Sequence, residues 1–327
     1  MTSLHRVLQY AIAAALVATA GPVKAQGYPS RPITIVIGFA PGGPTDTLAR
    51  ILAERMKASL GQPIIVESMV GAGGTLAGGR VARAKPDGYT LSIGNWSSNV
   101  GAGAIYPLRY HVMDDFEPVA LLTSSYVWIV GRKGLPAGDL KELVAWLKAN
   151  PGKATAGSIG VGSAGQLCII DFQNKTGTRF PIVPYQAGVP AMQDLLAGRI
   201  DFTCQEASPT LPYVQSGDIK ALGVAAQQRW FAAPDVPTIE EAGVSGVDIV
   251  FWNGLWAPKG TSKAIIAKIN AAVVEAFGDP AIQKRFADLG HLVPPRDRLT
   301  PDALAAYQKA ELEKWWPIMK AAGIKMN

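Results

Sequence analysis

The sequence predicts an α/β protein of two lobes, each built on a parallel sheet, joined by a hinge with a ligand cleft between them. Three observations lead there. From Pro32 onward, short β-branched runs alternate with stretches of helical periodicity. A second unit of the same kind begins near Tyr126. Beyond Phe251–Ala257 the chain turns helical, so a tail returning to the first lobe would make the chain cross twice. Alternating strands and helices cover both faces of a parallel sheet, an order that an all-β fold or a helical bundle does not have.

The elements follow in order. Ile33–Phe39 reads as a buried strand. Leu48, Ile51, Leu52 and Met56 recur at helical spacing after a Thr45-Asp46 cap, and Gly61 stops that helix. Residues 63–67 form a second strand, followed by a glycine-rich turn and a small-residue helix to about Ala84. Pro86-Asp87-Gly88 turns the chain into a third strand over 89–93. In the second unit, Tyr126–Val130 is a strand and Leu140–Ala149 a helix stopped by Asn150-Pro151-Gly152. Strands are expected at 155–159, 181–185, 200–204 and 219–226, with helices near 164–175 and 189–197. The tail carries helices at about 262–277, 280–289 and 301–322.

The chain has 327 residues, 48% hydrophobic and 17% charged, which supports real cores and argues against intrinsic disorder. His5 and Arg6 precede an apolar stretch, Tyr10–Ala20, and Val23-Lys24-Ala25 offers the small residues a signal peptidase reads. The apolar run is about half of the roughly 20 residues that span a bilayer. Residues 1–25 are therefore expected to be a cleaved signal peptide, with Gln26 the new N-terminus, no membrane insertion afterwards and an exported, soluble product. Cleavage removes Arg6 and Lys24, leaving 29 basic against 25 acidic residues, a formal charge of +4. The excess is dispersed, with no basic helix interleaved with aromatics, so nucleic acid is not an expected partner.

Two strand-to-helix loops carry the chemistry. In Phe39-Ala40-Pro41-Gly42-Gly43-Pro44-Thr45-Asp46, glycines let the backbone approach a ligand, and the amides opening the next helix form an anion site. In the second, Ser158 to Gly165, the glycines at 160, 162 and 165 match the letters of a dinucleotide fingerprint. The following strand ends Val183-Pro184-Tyr185 without an acid for a ribose, so the dinucleotide reading fails. Exposed amides where this loop, with Gly160 and Gly162, opens the helix, and the Ser158 and Ser163 hydroxyls nearby, suit a carboxylate or phosphate. A third loop, Gly71 to Thr75, is expected to serve tight packing. Tyr185, Gln186 and Glu206 stand at the ends of second-unit strands, where open α/β sheets place ligands. Glu206 would meet an ammonium group or a protonated acid, or simply be solvated.

The catalytic inventory is poor. After cleavage only His111 and His291 remain, far apart, and neither has metal-ligand spacing to another donor. Position 161 is Val, which breaks the nucleophile-elbow pattern around Ser163. No metal, no cofactor and no enzymatic turnover are expected, and the chain should act as a monomer. Cys168 and Cys204 fall in the same lobe; they could pair in an oxidising compartment, but two separately buried thiols are the expected arrangement.

At these loops the sequence resembles the tripartite tricarboxylate transporter substrate-binding receptors, the Bug family of periplasmic proteins. The matching stretches run through nearly all of the mature chain: Tyr28–Ile33, Phe39–Gly43 with Asp46, Gly71–Gly74, Pro86–Leu91, Asn150–Lys153, Gly160–Ser163, Val183–Tyr185, Asp194–Asp201, Pro234–Thr238, Glu241–Gly243, Trp252–Gly254, Ala257–Thr261 and Ala322–Lys325. Each is weak alone; the ordered set is highly specific. The departures are Gln166 for a common His, Ile170 for an acid, Ser68-Met69-Val70 for Asn-Arg-Pro, and Gln205-Glu206 for Asp-Asn.

The resemblance implies a type II-like periplasmic-binding-protein fold, with a first lobe of residues 26–124 and 250–327 and a second of 125–249. It implies that loops 39–46 and 158–163 clamp one carboxylate from opposite lobes through backbone amides and bridging water. Such a receptor delivers a small organic carboxylate to a permease of one large and one small membrane subunit. Two other readings stay open: a sensory receptor presenting its ligand to a membrane kinase, and a secreted enzyme acting on a small acid.

Overall fold

The computed structural model describes residues 27–321 together with Gly323 and Ile324, so the expected signal peptide lies outside the described residues. In chain order, the first part comprises β1 (Ile33–Ile37), α1 (Pro44–Leu60), β2 (Ile64–Ser68), α2 (Thr75–Ala82) and β3 (Thr90–Asn95). A π-helical turn (Ser97–Gly101) and α3 (Ala102–Ile105) lead into the long β4 (Phe116–Arg132). There follow α4 (Leu140–Ala149), β5 (Ala156–Ile159), α5 (Ala164–Thr176), β6 (Ile182–Tyr185), α6 (Gly188–Leu196), β7 (Phe202–Glu206), α7 (Ala207–Gln215) and β8 (Ile219–Val224). The chain closes with β9 (Val250–Pro258), α8 (Lys263–Gly278), α9 (Pro280–Asp288) and α10 (Pro301–Ala321).

The strands follow the order β2-β1-β3-β9-β4-β7-β5-β6, with β8 also on β4. Each lobe has a parallel core: β2, β1 and β3 in the first, β7, β5 and β6 in the second. The expectation of purely parallel sheets needs correcting, because β9 runs antiparallel to β3, and β4 antiparallel to β7, β8 and β9. The reason is the double crossing. β4 pairs with β9 over Phe116 to Tyr126 and then continues into the second sheet, pairing with β7 from Val127. A register shift in the β4–β9 ladder between Leu121 and Ser124 falls just before that handover. Two antiparallel strands thus join the lobes. The returning helix α10 packs on β4 and on the π-helical turn.

Burial explains the sequence pattern. Ile33, Ile35 and Ile37 are fully buried with Leu48, Ile51, Leu52 and Met56 of α1 and Ile269, Val273 and Phe277 of α8. A separate cluster runs from Val36, Trp96 and Val100 through Trp252, Trp315 and Met319 to Leu167 and Phe172, so both lobes share apolar packing. Trp96 and Trp315 meet edge to face with ring centroids 6.0 Å apart, and the Trp96 indole donates to Glu311 Oε2 at 2.7 Å.

The third glycine loop packs as its small residues suggest. A Cβ on Gly38 would overlap the main chain of Gly74, which itself takes φ 92°. Gly38→Ala is therefore expected to destabilise the protein by about 1–3 kcal/mol, since the obstacle is backbone and cannot rotate away. Urea unfolding measures it; a change within error would mean that the two loops separate easily.

Candidate functional site

The carboxyl ends of β1, β3, β5, β6 and β7 all point to one cleft of about 550 Å³ between the lobes. Phe39, Ala40, Gly43, Pro44, Thr45, Asn95 and Ser97 line it from the first lobe. Ile159, Ser163 to Gly165, Gln186 to Val189 and Cys204 to Glu206 line it from the second, and Val127 and Phe251 of the crossing strands lie between. A cavity of similar size, about 570 Å³, lies away from the strand ends, against α8, α9 and the segment around His291. The cleft is the stronger candidate, because only there do strand ends and helix starts converge from both lobes.

Four helices begin at this cleft: α1, α5, α6 and α7. Their first-turn amides have no intrahelical acceptor, and each N-terminus carries a partial positive charge. On α1, Pro44 occupies the first position and the amides of Thr45 and Asp46 have no acceptor among the described residues. On α5, capped by Ser163, the same holds for Ala164 and Gly165. No Lys, Arg or His is among the lining residues; the one charged side chain is Glu206. Positive potential in the cleft comes from main chain, which suits an anion that four N-termini can surround.

Loop one is held by Asp46. The helix is capped by Gly43, not by Thr45 or Asp46 as the sequence suggested, because Pro44 starts the helix one residue earlier. Asp46 instead turns back: its Oδ2 accepts the Gly42 amide at 2.9 Å and Arg50 Nε at 2.8 Å. The Arg50 hydrogen bond holds the Asp46 carboxyl below the usual carboxylate range. Thr45 points inward, with its hydroxyl 3.3 Å from Asn95 Nδ2 and 3.4 Å from Asn253 Oδ1.

Loop two differs from expectation. Its amides at Gly160 and Gly162 are consumed, donating to Tyr185 O at 2.7 Å and to Gln166 Oε1 at 2.6 Å. The Ser163 amide bonds to Gly160 O at 3.2 Å, and the Ser163 hydroxyl donates to Ile159 O and caps the Gln166 amide. The free donors are displaced by a few residues, to Ala164 and Gly165. Gln166, one of the positions that departs from the family pattern, is what satisfies the Gly162 amide.

Of the residues singled out by sequence, Phe39, Ala40, Gly43, Thr45, Ser163, Gln186 and Glu206 line the cavity. Pro41, Gly42, Asp46, Ser158, Gly160, Gly162 and Tyr185 do not. Ser158 is buried within β5, and the Tyr185 hydroxyl is engaged by Asp194 at 2.7 Å. Gly162 instead meets the other lobe: a Cβ there would overlap Ile105 and approach Met319 Cε at 3.2 Å. Sequence reasoning missed Asn95, Ser97, Tyr213 and Phe251. Asn95 ends a parallel strand beside β1, a position at which a polar residue can be sought; Phe251 and Tyr213 carry no such signal.

Glu206 ends β7 and is partly buried, with Ser125 of β4 donating to its Oε1 at 2.5 Å. Burial pushes its carboxyl up to about 7. Two residues before it, Cys204 forms a disulfide with Cys168, Cα atoms 6.1 Å apart, which corrects the expectation of separate thiols. The start of α5 lies across the end of β7, close enough for the bridge.

The sequence profile of the family described as tripartite tricarboxylate transporter family receptor matches residues 48–324. The chain is 40% identical over 316 residues to a UPF0065 protein from the TAR-I ttuE-ttuC' intergenic region of Agrobacterium vitis, covering 95% of this chain and 91% of the relative. Among solved structures it is similar to MatC (Rpa3494) from Rhodopseudomonas palustris with bound malate: 39% identity, TM-score 0.79, 89% of this chain and 99% of that one. It is also similar to Rpa4515 of R. palustris with adipate: 29% identity, TM-score 0.83, 91% and 100% coverage.

Proposed function

The chain belongs to the tripartite tricarboxylate transporter receptor family, and from that membership we propose that it captures a small organic carboxylate in the cleft and hands it to a tripartite membrane permease. One observation carries the reading: four helix N-termini open on a cavity whose lining contains no basic side chain. Burying a carboxylate without partners would be costly, and free amides on both lobes supply partners. The ligand's first carboxylate sits between the starts of α1 and α5, on the amides of Thr45, Asp46, Ala164 and Gly165. Malate in MatC and adipate in Rpa4515 support a carboxylate as the ligand class.

Receptors of this family are periplasmic, and the N-terminal leader is read as the signal that brings this chain there. No helix among the described residues is long and apolar enough to cross a membrane. We assign residues 26–124 and 250–327 to one lobe and 125–249 to the other, since β4 leaves the first sheet and β9 enters it near those limits. Binding without chemistry is the reading that fits a family of solute receptors.

A thermal-shift screen of the mature protein against dicarboxylates, tricarboxylates, aromatic acids and acidic amino acids tests this. A ligand at about 100 times its Kd stabilises by about 2.7 kcal/mol, enough to raise the melting temperature measurably. If a sugar or a cation shifts the transition and no carboxylate does, the reading fails.

A further inference from the structure

Glu206 is the one charged side chain lining a cleft that presents four helix N-termini. It stands on the hinge side of loop two: β7 lies between β5 and β4, so Glu206 ends the strand next to the one that leads into α5, and it lines the same cleft as Ala164 and Gly165. A small ligand held at α1 and α5 therefore reaches it with its other end. Its Oε1 takes the Ser125 hydroxyl, and Oε2 has no hydrogen bond to another described residue. The elements packed around it offer no cationic side chain; the one opposite charge beside it is the partial charge at the start of α7, whose N-cap it is. β4 contributes Ser125 and Val127, β9 Phe251, and the first lobe Asn95, while the one other ionisable group in the lining is the Tyr213 phenol of α7.

We propose that Glu206 reads the far end of the ligand as a neutral acid, so that a dicarboxylate is captured together with one proton. This rests on the carboxylate reading of the cleft. An ionised Glu206 beside a second carboxylate would be a like-charge pair with no cation near it, in a site the lobes shield from water. One proton removes the conflict: it comes from solvent, stays on Glu206, and is donated in a charge-assisted O–H···O⁻ hydrogen bond to the ligand's distal carboxylate. No covalent bond of the ligand changes. A distal ammonium group would also answer Glu206, but it would sit among the positive ends of four helices, where a cation is disfavoured.

The pH dependence follows in sign. Burial already places the free carboxyl near 7, and the ligand's second charge raises it further in the complex. Below that pH the acid is protonated before binding and no proton is exchanged. Above it, binding takes up a proton, and affinity falls about tenfold per pH unit.

Calorimetry with adipate, in buffers of different ionisation enthalpy, reads the proton directly on the unmodified protein. Uptake is expected to approach one proton at about pH 8.5 and to fall as the pH is lowered through about 7, where the free acid is already becoming protonated. In Glu206→Gln, checked for folding by its thermal transition, the proton uptake and the pH slope both disappear. Adipate binding with no proton uptake, or with the same uptake in Glu206→Gln, overturns the inference and leaves the carboxylate reading standing. So does failure of adipate to bind when another carboxylate does, or tighter binding of 6-aminohexanoate that is lost in Glu206→Gln. If no carboxylate binds at any pH, the receptor reading itself is the one that fails.

Discussion

Gly162→Val is expected to weaken carboxylate binding by about two orders of magnitude while the protein still folds. Two costs arise. Gly162 takes φ 67°, a left-handed conformation that costs an ordinary residue about 1–2 kcal/mol. Its Cβ would also overlap Ile105 of the opposite lobe, and its carbonyl already fills the space a side chain on Gly101 would need. The overlap opposes the approach of the lobes by up to about 3 kcal/mol, or about a hundredfold in affinity, while the backbone strain falls on stability. Gly152→Val separates the two effects: Gly152 takes φ 76° but faces open space, so that variant loses stability and keeps its affinity. Ile105→Ala in the Gly162→Val background should restore part of the binding. Calorimetry gives the affinity and solution scattering the separation of the lobes. Unchanged affinity in Gly162→Val would mean that loop two does not touch the first lobe when ligand is bound.

Removal of the disulfide by Cys168→Ser with Cys204→Ser is expected to cost about 4 kcal/mol, the chain-entropy value for a loop of 36 residues. Both sulfurs are fully buried, so the serines also leave hydroxyls without solvent in an apolar cluster. The effect should centre on the second lobe, where the bridge pins α5 to β7. Urea unfolding of the oxidised protein, the reduced protein and the double variant gives the comparison. Equal midpoints for all three would show that helix and sheet hold their places without the bridge.

The parallel cores were legible because their strands are short and apolar and are bounded by turn residues. Strands at 33–37, 64–68 and 156–159 fall where β-branched runs and glycines put them. Of β4, the sequence pattern marks only Tyr126–Val130. Its first ten residues carry Pro118 and a shift in register, and they make sense as strand only once β9 returns beside them. The pairing partner lies more than a hundred residues away, and local pattern cannot supply it. α7 was missed for a related reason: Pro209 and Pro212 argue against a helix, yet its first turn needs no donor at Pro209. At the candidate site, the glycine loops marked the right strand ends. What they did not disclose was which amides stay free. That depends on Gln166 reaching back to Gly162 and Tyr185 O meeting Gly160, hydrogen bonds that exist only in the folded loop.

The cleft's cationic character resides in main-chain amides, and this bears on how such a receptor changes over generations. A binding site built on an arginine loses its anion with one codon change, and each relative must then preserve that side chain. Amides at a helix start survive most substitutions, because every residue but proline supplies one. The walls around them, from Phe39 and Met192 to Glu206, are free to drift toward new ligand shapes while the grip on one carboxylate persists. Divergence in ligand choice can therefore proceed by ordinary point mutation, without an intermediate that binds nothing.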